Sequence, residues 1–356
     1  MGIIGGGFAG LAAAIGFRRN GHDVTVFERA EGPSAAGGAI ALAPNALACL
    51  DILGVREKVP TQPWSGMPAT VRDTVGRVLV QSTMAHLTGG SEFACVPRAQ
   101  LIAWLAAELP AQCIHYACNV VGVTVDGRVE VDRTSQHFDL VVAADGARSL
   151  ARTSLWPEAP RLRSTGVTGW AWITDDKLTT GFGTIWGRTS DFGILPLIDG
   201  RTYVYGGTTS GRAHLDSYRG WPQPLPALID AASLRTMVNP EIFEARPPRN
   251  LLRGRVVLIG DAAHTMRPTF GQGAALAMED ALTLAYRGIP ALTRRWPRML
   301  ALYGASKAGA RFATPGNAGL ESARNWALRV VPDPLFGFMA GSVSSWRPPF
   351  EFARAG

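Results

Sequence analysis

The sequence predicts an α/β protein in which a parallel-sheet domain of alternating strands and helices is interleaved with a mainly antiparallel β-sheet domain. Three observations predict it. The first thirty residues run strand, glycine-rich turn, helix, strand and acid: Ile3-Ile4, then Gly5 to Gly10, then Leu11 to Arg19, then Asp23 to Phe27, then Glu28. Two later apolar runs, Leu140 to Ala144 and Val256 to Ile259, read as buried strands that end in Asp145-Gly146 and Gly260-Asp261. Between them, residues 165–173, 181–187, 192–198 and 201–208 alternate or run β-branched and aromatic, and Asp199-Gly200 separates two of the runs as a hairpin signal.

The N-terminal element carries the pattern Gly5-x-Gly7-x-x-Gly10 between a strand and a helix, with Glu28 at the end of the next strand. That order is the Rossmann-like dinucleotide fingerprint. Gly5 permits the tight turn. Gly7 leaves no side chain in the way of a pyrophosphate, and Gly10 lets the helix lie close on the sheet. The helix start offers unpaired N–H groups and a partial positive charge to phosphates. Glu28 can accept both ribose hydroxyls and would repel a 2′-phosphate, so the site suits an adenosine with free hydroxyls. The competing reading of the glycines is an ordinary glycine-rich turn. The strand before Gly5 is unusually short, or the chain as given starts inside a longer one.

Downstream, Asp145-Gly146 is followed by Ser149 and Arg152. After Gly260-Asp261 comes a loop with Pro268, and Gly271-Gln272-Gly273 then opens a long helix running to about Arg287. Together the three signatures resemble those of the flavin-dependent aromatic monooxygenases of the p-hydroxybenzoate hydroxylase type: a GxGxxG, a DG motif and a GD motif, in that order. Val96 to Leu101 resembles the family's R-x-x-L stretch, and Gly38 to Asn45 the segment that passes the flavin. The likeness extends to about residue 310.

The resemblance implies FAD as a tight, non-covalent cofactor. Gly5, Gly7, Phe8, Ala9, Gly10, Glu28 and Arg29 would hold its ADP half. Arg98 would lie along it, with Ala41 and Val121 beside it, and Asp145 and Gly146 would form the DG contact. Asp261 would hydrogen-bond the ribityl chain, Pro268 would lie beside the flavin ring, and Gly271, Gln272, Gly273, Ala274 and Ala275 would meet its pyrimidine edge. Some members carry Asn where this chain has Ala275; a main-chain N–H can serve there. Larger members have a thioredoxin-like tail that this chain is too short to hold. Trp170-Ala171-Trp172-Ile173 is faintly similar to a flavin halogenase motif, but its proline is missing and no lysine falls between Lys58 and Lys177.

The chemistry implied is reduction of FAD by NADPH or NADH, reaction with O2 to a flavin C4a-hydroperoxide, and hydroxylation of an aromatic or polycyclic small molecule in a dry pocket. No second GxGxxG follows a strand, so the nicotinamide is expected to visit transiently. Arg98, Arg148, Arg152 and Arg267 are candidates to meet its phosphates. On a strand Tyr203 and Tyr205 share one face, as do Trp170 and Trp172, with Trp186 on a neighbouring run. Such a face can clamp a flat ring or form an ordinary aromatic core. Tyr203, Tyr205 and His214 are the candidates to activate a substrate hydroxyl, with Pro268 beside the reacting ring. His264, inside the GD motif, reads as structural. Arg188 and Asp191 flank the same sheet and are candidates to fix a charged substrate group.

The expected division is 1–65, 92–160 and 250–320 for the FAD domain, 66–91 and 161–249 for the substrate sheet, and 321–356 as a C-terminal segment in which Leu335 to Met339 is an apolar patch. Composition narrows the alternatives. The net charge is +7, yet only three of 35 basic residues are lysines and no basic block occurs, which argues against nucleic acid or a polybasic membrane tag. Four cysteines without a CxxC pair argue for a reduced, cytoplasmic protein with no metal site. Residues 1–17 are uncharged, but Arg18 and Arg19 follow the apolar run rather than precede it, unlike a signal sequence, and no run is long enough to span a bilayer. A monomer or homodimer is expected. The rival readings are a related flavin oxygenase (epoxidase, Baeyer-Villiger type or antibiotic-inactivating hydroxylase) and a flavin-binding protein without turnover.

Overall fold

A computed structural model describes the chain except residues 34–37, 61–63, 133, 176, 212–213, 233–236, 239, 331–345 and 349–356. A six-stranded sheet runs in the order Leu252–Arg253, Val256–Leu258, Val141–Ala143, Gly2–Ile4, Thr25–Phe27, Ile114–His115. Every neighbouring pair is parallel except the first. Strands Val256–Leu258, Val141–Ala143 and Gly2–Ile4 are buried at every position and carry no polar side chain, as a sheet covered on both faces requires, and Ile3, Val26, Val142 and Val257 are fully buried. The three glycine-bearing loops leave the same ends of adjacent parallel strands, after Ile4, Ala143 and Leu258, the last two with an acid beside the glycine. This is the edge where open α/β sheets bind ligands.

Helix Phe8–Arg19 packs on the long helix Gly273–Arg294, and Gly16 lets them approach: a Cβ there would stand 2.8 Å from that of Ala285. The long helix breaks just after Arg287, where Gly288 takes φ +74° ahead of Pro290. Helices Trp296–Ala313 and Ala318–Val330 follow, separated by a turn in which Gly316 has φ +74° and donates its N–H to the Arg188 carbonyl. The apolar patch Leu335 to Met339 lies outside the described residues.

The second sheet has seven strands, in the order Glu241–Glu244, Arg163–Thr174, Thr202–Thr208, Ser190–Pro196, Phe182–Trp186, Pro68–Arg72, Val78–Thr83. All its pairs are antiparallel except Phe182–Trp186 with Pro68–Arg72, and the Asp199-Gly200 turn forms the expected hairpin. Period-two alternation gives it two unlike faces. One buries Trp170, Trp172, Ile185, Phe192, Ile194 and Val204 beneath Tyr218 and helix Leu225–Asp230. The other carries Leu195, Tyr203 and Tyr205 against Trp64, Met84 and Cys95.

This separation decides between the alternatives for the tryptophans and takes His214 away from the tyrosines. Trp170 pairs with Gly206 and Trp172 with Val204, so the tryptophans sit on the face opposite Tyr203 and Tyr205. They are core: Trp170 stacks on Phe192 at 4.6 Å and Trp172 is fully buried. His214 lies with Ser190, Tyr218 and Trp221 around a 290 Å³ cavity associated with that same outer cluster, so it is not brought to the tyrosines. Among the described residues, no helix is long and apolar enough to cross a membrane, and no His/Cys/Asp/Glu group is arranged to hold a metal.

Candidate cofactor and substrate site

At the first loop, Gly5 has φ +104°, which only glycine adopts without strain, and a Cβ at Gly10 would overlap the Gly5 carbonyl oxygen. Gly7 differs: a Cβ there would meet no protein atom within 4 Å, so its missing side chain leaves open space at the start of helix Phe8–Arg19. Glu28 is held at its strand end by the main-chain N–H groups of Gly6 (2.6 Å) and Ala30 (2.9 Å), with Arg29 exposed beside it. Val121 is exposed, three residues past Cys118, whose N–H meets the Glu28 carbonyl.

Arg98 crosses the cleft. Its guanidinium lies over the Phe8 ring at 5.4 Å, burial lowers its pKa, and the two carboxylates that oppose the lowering are Asp261 and Glu28. Its strand neighbour Ala39–Leu42 brings Ala41 alongside, paired with Cys95. At the second loop, Asp145 accepts from the Ala151 N–H through Oδ2, while Oδ1 is buried without a partner. Burial pushes this carboxyl up, against hydrogen bonds from Ser149 and main-chain N–H groups. Ser149 caps the following helix by accepting from the Arg152 N–H at 2.9 Å.

At the third loop, Gly260 has φ +58° and sits so close to Ala9 that a Cβ would stand 2.8 Å from it. Asp261 is deeply surrounded by protein yet its residue stays open to the cleft. Burial raises its pKa, and His264, Arg98 and Arg152 act against the rise. Pro268 is exposed at the head of the turn Pro268–Phe270, and Gly271 takes φ +62°. Helix Gly273–Arg294 then starts with no acidic residue in its first turn, so the N–H groups and dipole at Gly273, Ala274 and Ala275 are left for an anionic ligand.

Three of the arginines considered for a visiting nucleotide are engaged by the protein. Arg152 donates to the carbonyls of Ala147 (2.6 Å) and Ala262 (3.3 Å), clamping the second loop to the third. Arg267 pairs with Glu244 at 2.7 Å, and Arg148 lies 4.8 Å over the Phe243 ring.

The sequence reading missed what holds the third loop in place. The Asn45 amide donates to Gln272 Oε1 (2.8 Å) and Glu279 Oε1 (2.7 Å), joining the segment after Ala39–Leu42 to the head of the long helix. Glu279 and Asp280, both fully buried, are paired with Arg295 (2.5 and 2.9 Å), Glu279 also with Arg298 (2.7 Å), and Asp280 with His264 Nε2 (2.5 Å). Burial alone would raise the Asp280 carboxyl; His264 and Arg295 outweigh it and hold it below the usual range. The signal was present: two adjacent acids inside the apolar run Ala274 to Leu284 demand buried cations.

On the sheet side, the rings of Tyr203 and Tyr205 stack at 5.4 Å and 27°. Two glycines make room for them. A side chain at Gly38 would collide with the Tyr203 ring, and one at Gly193 with the Tyr205 ring. The tyrosine rings therefore lie against Gly38, just before strand Ala39–Leu42, and against Gly193, and burial pushes both hydroxyls well above the usual tyrosine pKa.

A buried acceptor without a donor at Asp145, open space at Gly7 and an uncompensated helix start at Gly273 fit the two ends of a flavin dinucleotide. Fold and cleft thus define a flavin-dependent oxidoreductase. The family model described as FAD binding domain matches residues 1–181 and 239–308, and the chain belongs to that family of FAD-dependent aromatic hydroxylases. It is 35% identical over 309 residues to the 2-heptyl-3-hydroxy-4(1H)-quinolone synthase of Pseudomonas aeruginosa (80% of this chain, 79% of the relative). It is 31% identical over 307 residues to the FAD-dependent urate hydroxylase of Klebsiella pneumoniae (79% of each). The solved structure of Klebsiella pneumoniae HpxO with FAD and uric acid superposes with a TM-score of 0.85 at 26% identity, covering 96% of each chain. The cofactor is FAD and the protein an FAD-dependent monooxygenase.

Asp261→Ala is expected to fold normally and bind FAD about 10–100-fold more weakly, the size expected if its carboxylate would accept one charge-assisted hydrogen bond from the cofactor. Flavin titration of the stripped protein measures it, and unchanged affinity would remove Asp261 from the site.

Proposed function

We propose that this chain uses NADPH or NADH and O2 to hydroxylate a flat, nitrogen-containing aromatic molecule of one or two rings. The observation that carries the reading is the stacked Tyr203–Tyr205 pair, seated over Gly38 and Gly193 and facing the segment beside the cofactor loops. The named substrates or products of the relatives, a quinolone and urate, support the ring chemistry. FAD, when bound, supplies the electron transfer and oxygen activation.

This chain's residues do the rest. Gly5, Gly7, Gly10, Glu28 and Arg98 would hold the ADP half, and Asp145 and Asp261 the central part. The N–H groups at Gly273, Ala274 and Ala275 would favour negative charge on the flavin's pyrimidine edge when it is reduced. Pro268 and the two tyrosines would wall the ring pocket and exclude water. The nicotinamide nucleotide would bind only in passing.

The test is anaerobic mixing of FAD-loaded protein with NADPH or NADH across a panel of quinolones, purines and phenols. Flavin bleaching should accelerate with one ring class. Bleaching that no ring compound accelerates, with only peroxide formed in air, would favour the reading without hydroxylation.

A further inference from the structure

Strand Ser190–Pro196 presents Asp191, Gly193 and Leu195 on one face, the face of the two tyrosines. Gly193 pairs with Tyr205, whose ring lies over it, so Asp191 stands one step along from that ring. In the other direction Asp191 pairs with Trp186. Trp186 meets Phe312 edge-on at 6.1 Å, at the end of helix Trp296–Ala313. The same helix carries Gly309, against which Phe270 of the Pro268–Phe270 turn is pressed. Asp191 thus stands on the tyrosine face between Tyr205 and Trp186, close enough for its charge to raise the Tyr205 hydroxyl further.

Asp191 forms no ion pair among the described residues. The cations around its pair partner Trp186 are taken: Arg188 by Glu321 (3.1 Å), and Arg324 by the carbonyls of Trp186 and Gly187. Burial pushes its pKa up to about 7, with only main-chain N–H groups of Gly207 and Asp191 acting against it. Asp191 is half-buried on this face rather than sealed inside the sheet. A carboxyl offers about four acceptor positions, so capacity remains for a ligand's donor. Above about pH 7 the carboxyl is mostly ionised; it then accepts hydrogen bonds and repels a second anion.

We propose that Asp191 selects the substrate: it accepts the N–H or O–H of a neutral ring compound, and it excludes rings that carry a carboxylate. This rests on the ring-hydroxylase reading above and narrows its substrate class. The enclosing wall of Tyr205, Trp186 and Leu195 offers ring contact but no countercharge, so an aromatic acid would bring its anion beside an unpaired carboxyl.

The test uses FAD-loaded full-length protein and two matched probes, 4-quinolone and 4-quinolone-2-carboxylate, with binding measured by equilibrium dialysis at about pH 9, where the Asp191 carboxyl is ionised. Wild-type protein should retain the neutral ring at least about tenfold more tightly than the acid. Asp191→Asn and Asp191→Ser should each reduce that preference by about tenfold, at unchanged FAD occupancy. Equal retention of both probes, retention of neither, or a preference that survives in both variants would overturn the assignment. The two readings fail separately. A neutral ring that binds with the stated preference yet is never oxygenated would count against the hydroxylase reading, while leaving the selection by Asp191 intact.

Discussion

Arg295→Leu is expected to lower the free energy of unfolding by about 3–5 kcal/mol, the cost of leaving buried charge uncompensated. Arg295 is the shared partner of Glu279 and Asp280, both fully buried, and its own burial penalty is outweighed by those two carboxylates. Arg298 remains on Glu279 and His264 on Asp280, yet the buried cluster is then one positive charge short of its two acids' full set of partners. The effect should reach the cofactor as well, because Glu279 fixes Asn45 and Asn45 fixes Gln272 at the head of the flavin helix. Urea unfolding of the stripped protein reads the first effect and flavin titration the second. A loss under about 1 kcal/mol would mean that the network contributes little.

Two glycines three residues apart should fail in opposite ways. Gly7→Val places its side chain in open space, with no protein atom in reach of its Cβ. It should leave stability nearly unchanged and weaken FAD binding roughly 100-fold, since the occupied volume is the ligand's. Gly10→Ala drives a methyl into the Gly5 carbonyl, so helix Phe8–Arg19 must shift from the sheet and both stability and FAD binding should fall. Thermal melts of the stripped proteins separate the pair. Equal destabilisation by both would show that Gly7 is a backbone requirement and no ligand cradle.

Local chemistry was legible in the sequence and long-range pairing was not. Gly5, Gly260 and Gly271, read as turns, all have positive φ. The hairpin at Asp199-Gly200 and the start of the long helix at Gly273 fall where the turn residues place them. Parity along one strand correctly grouped Tyr203 with Tyr205. It said nothing of how that strand registers with its neighbour. The register of Trp170 on Gly206 puts the tryptophans on the far side, and the chain after Thr208 carries His214 there too. The same limit hid Gly38 and Gly193, whose value lies in rings arriving from other strands. It also hid the clamp made by Arg152, because an arginine eager for phosphate and one spent on two carbonyls look alike in a sequence.

The most direct test of the central claim is the fate of oxygen. FAD-loaded protein, NADPH or NADH and the ring compound that most accelerates flavin reduction should be incubated under heavy-isotope O2, and the product weighed by mass spectrometry. The account predicts a product carrying one labelled oxygen atom for each nicotinamide consumed. A product whose new oxygen comes from water, or nicotinamide consumption that yields peroxide and unaltered ring compound, would contradict it.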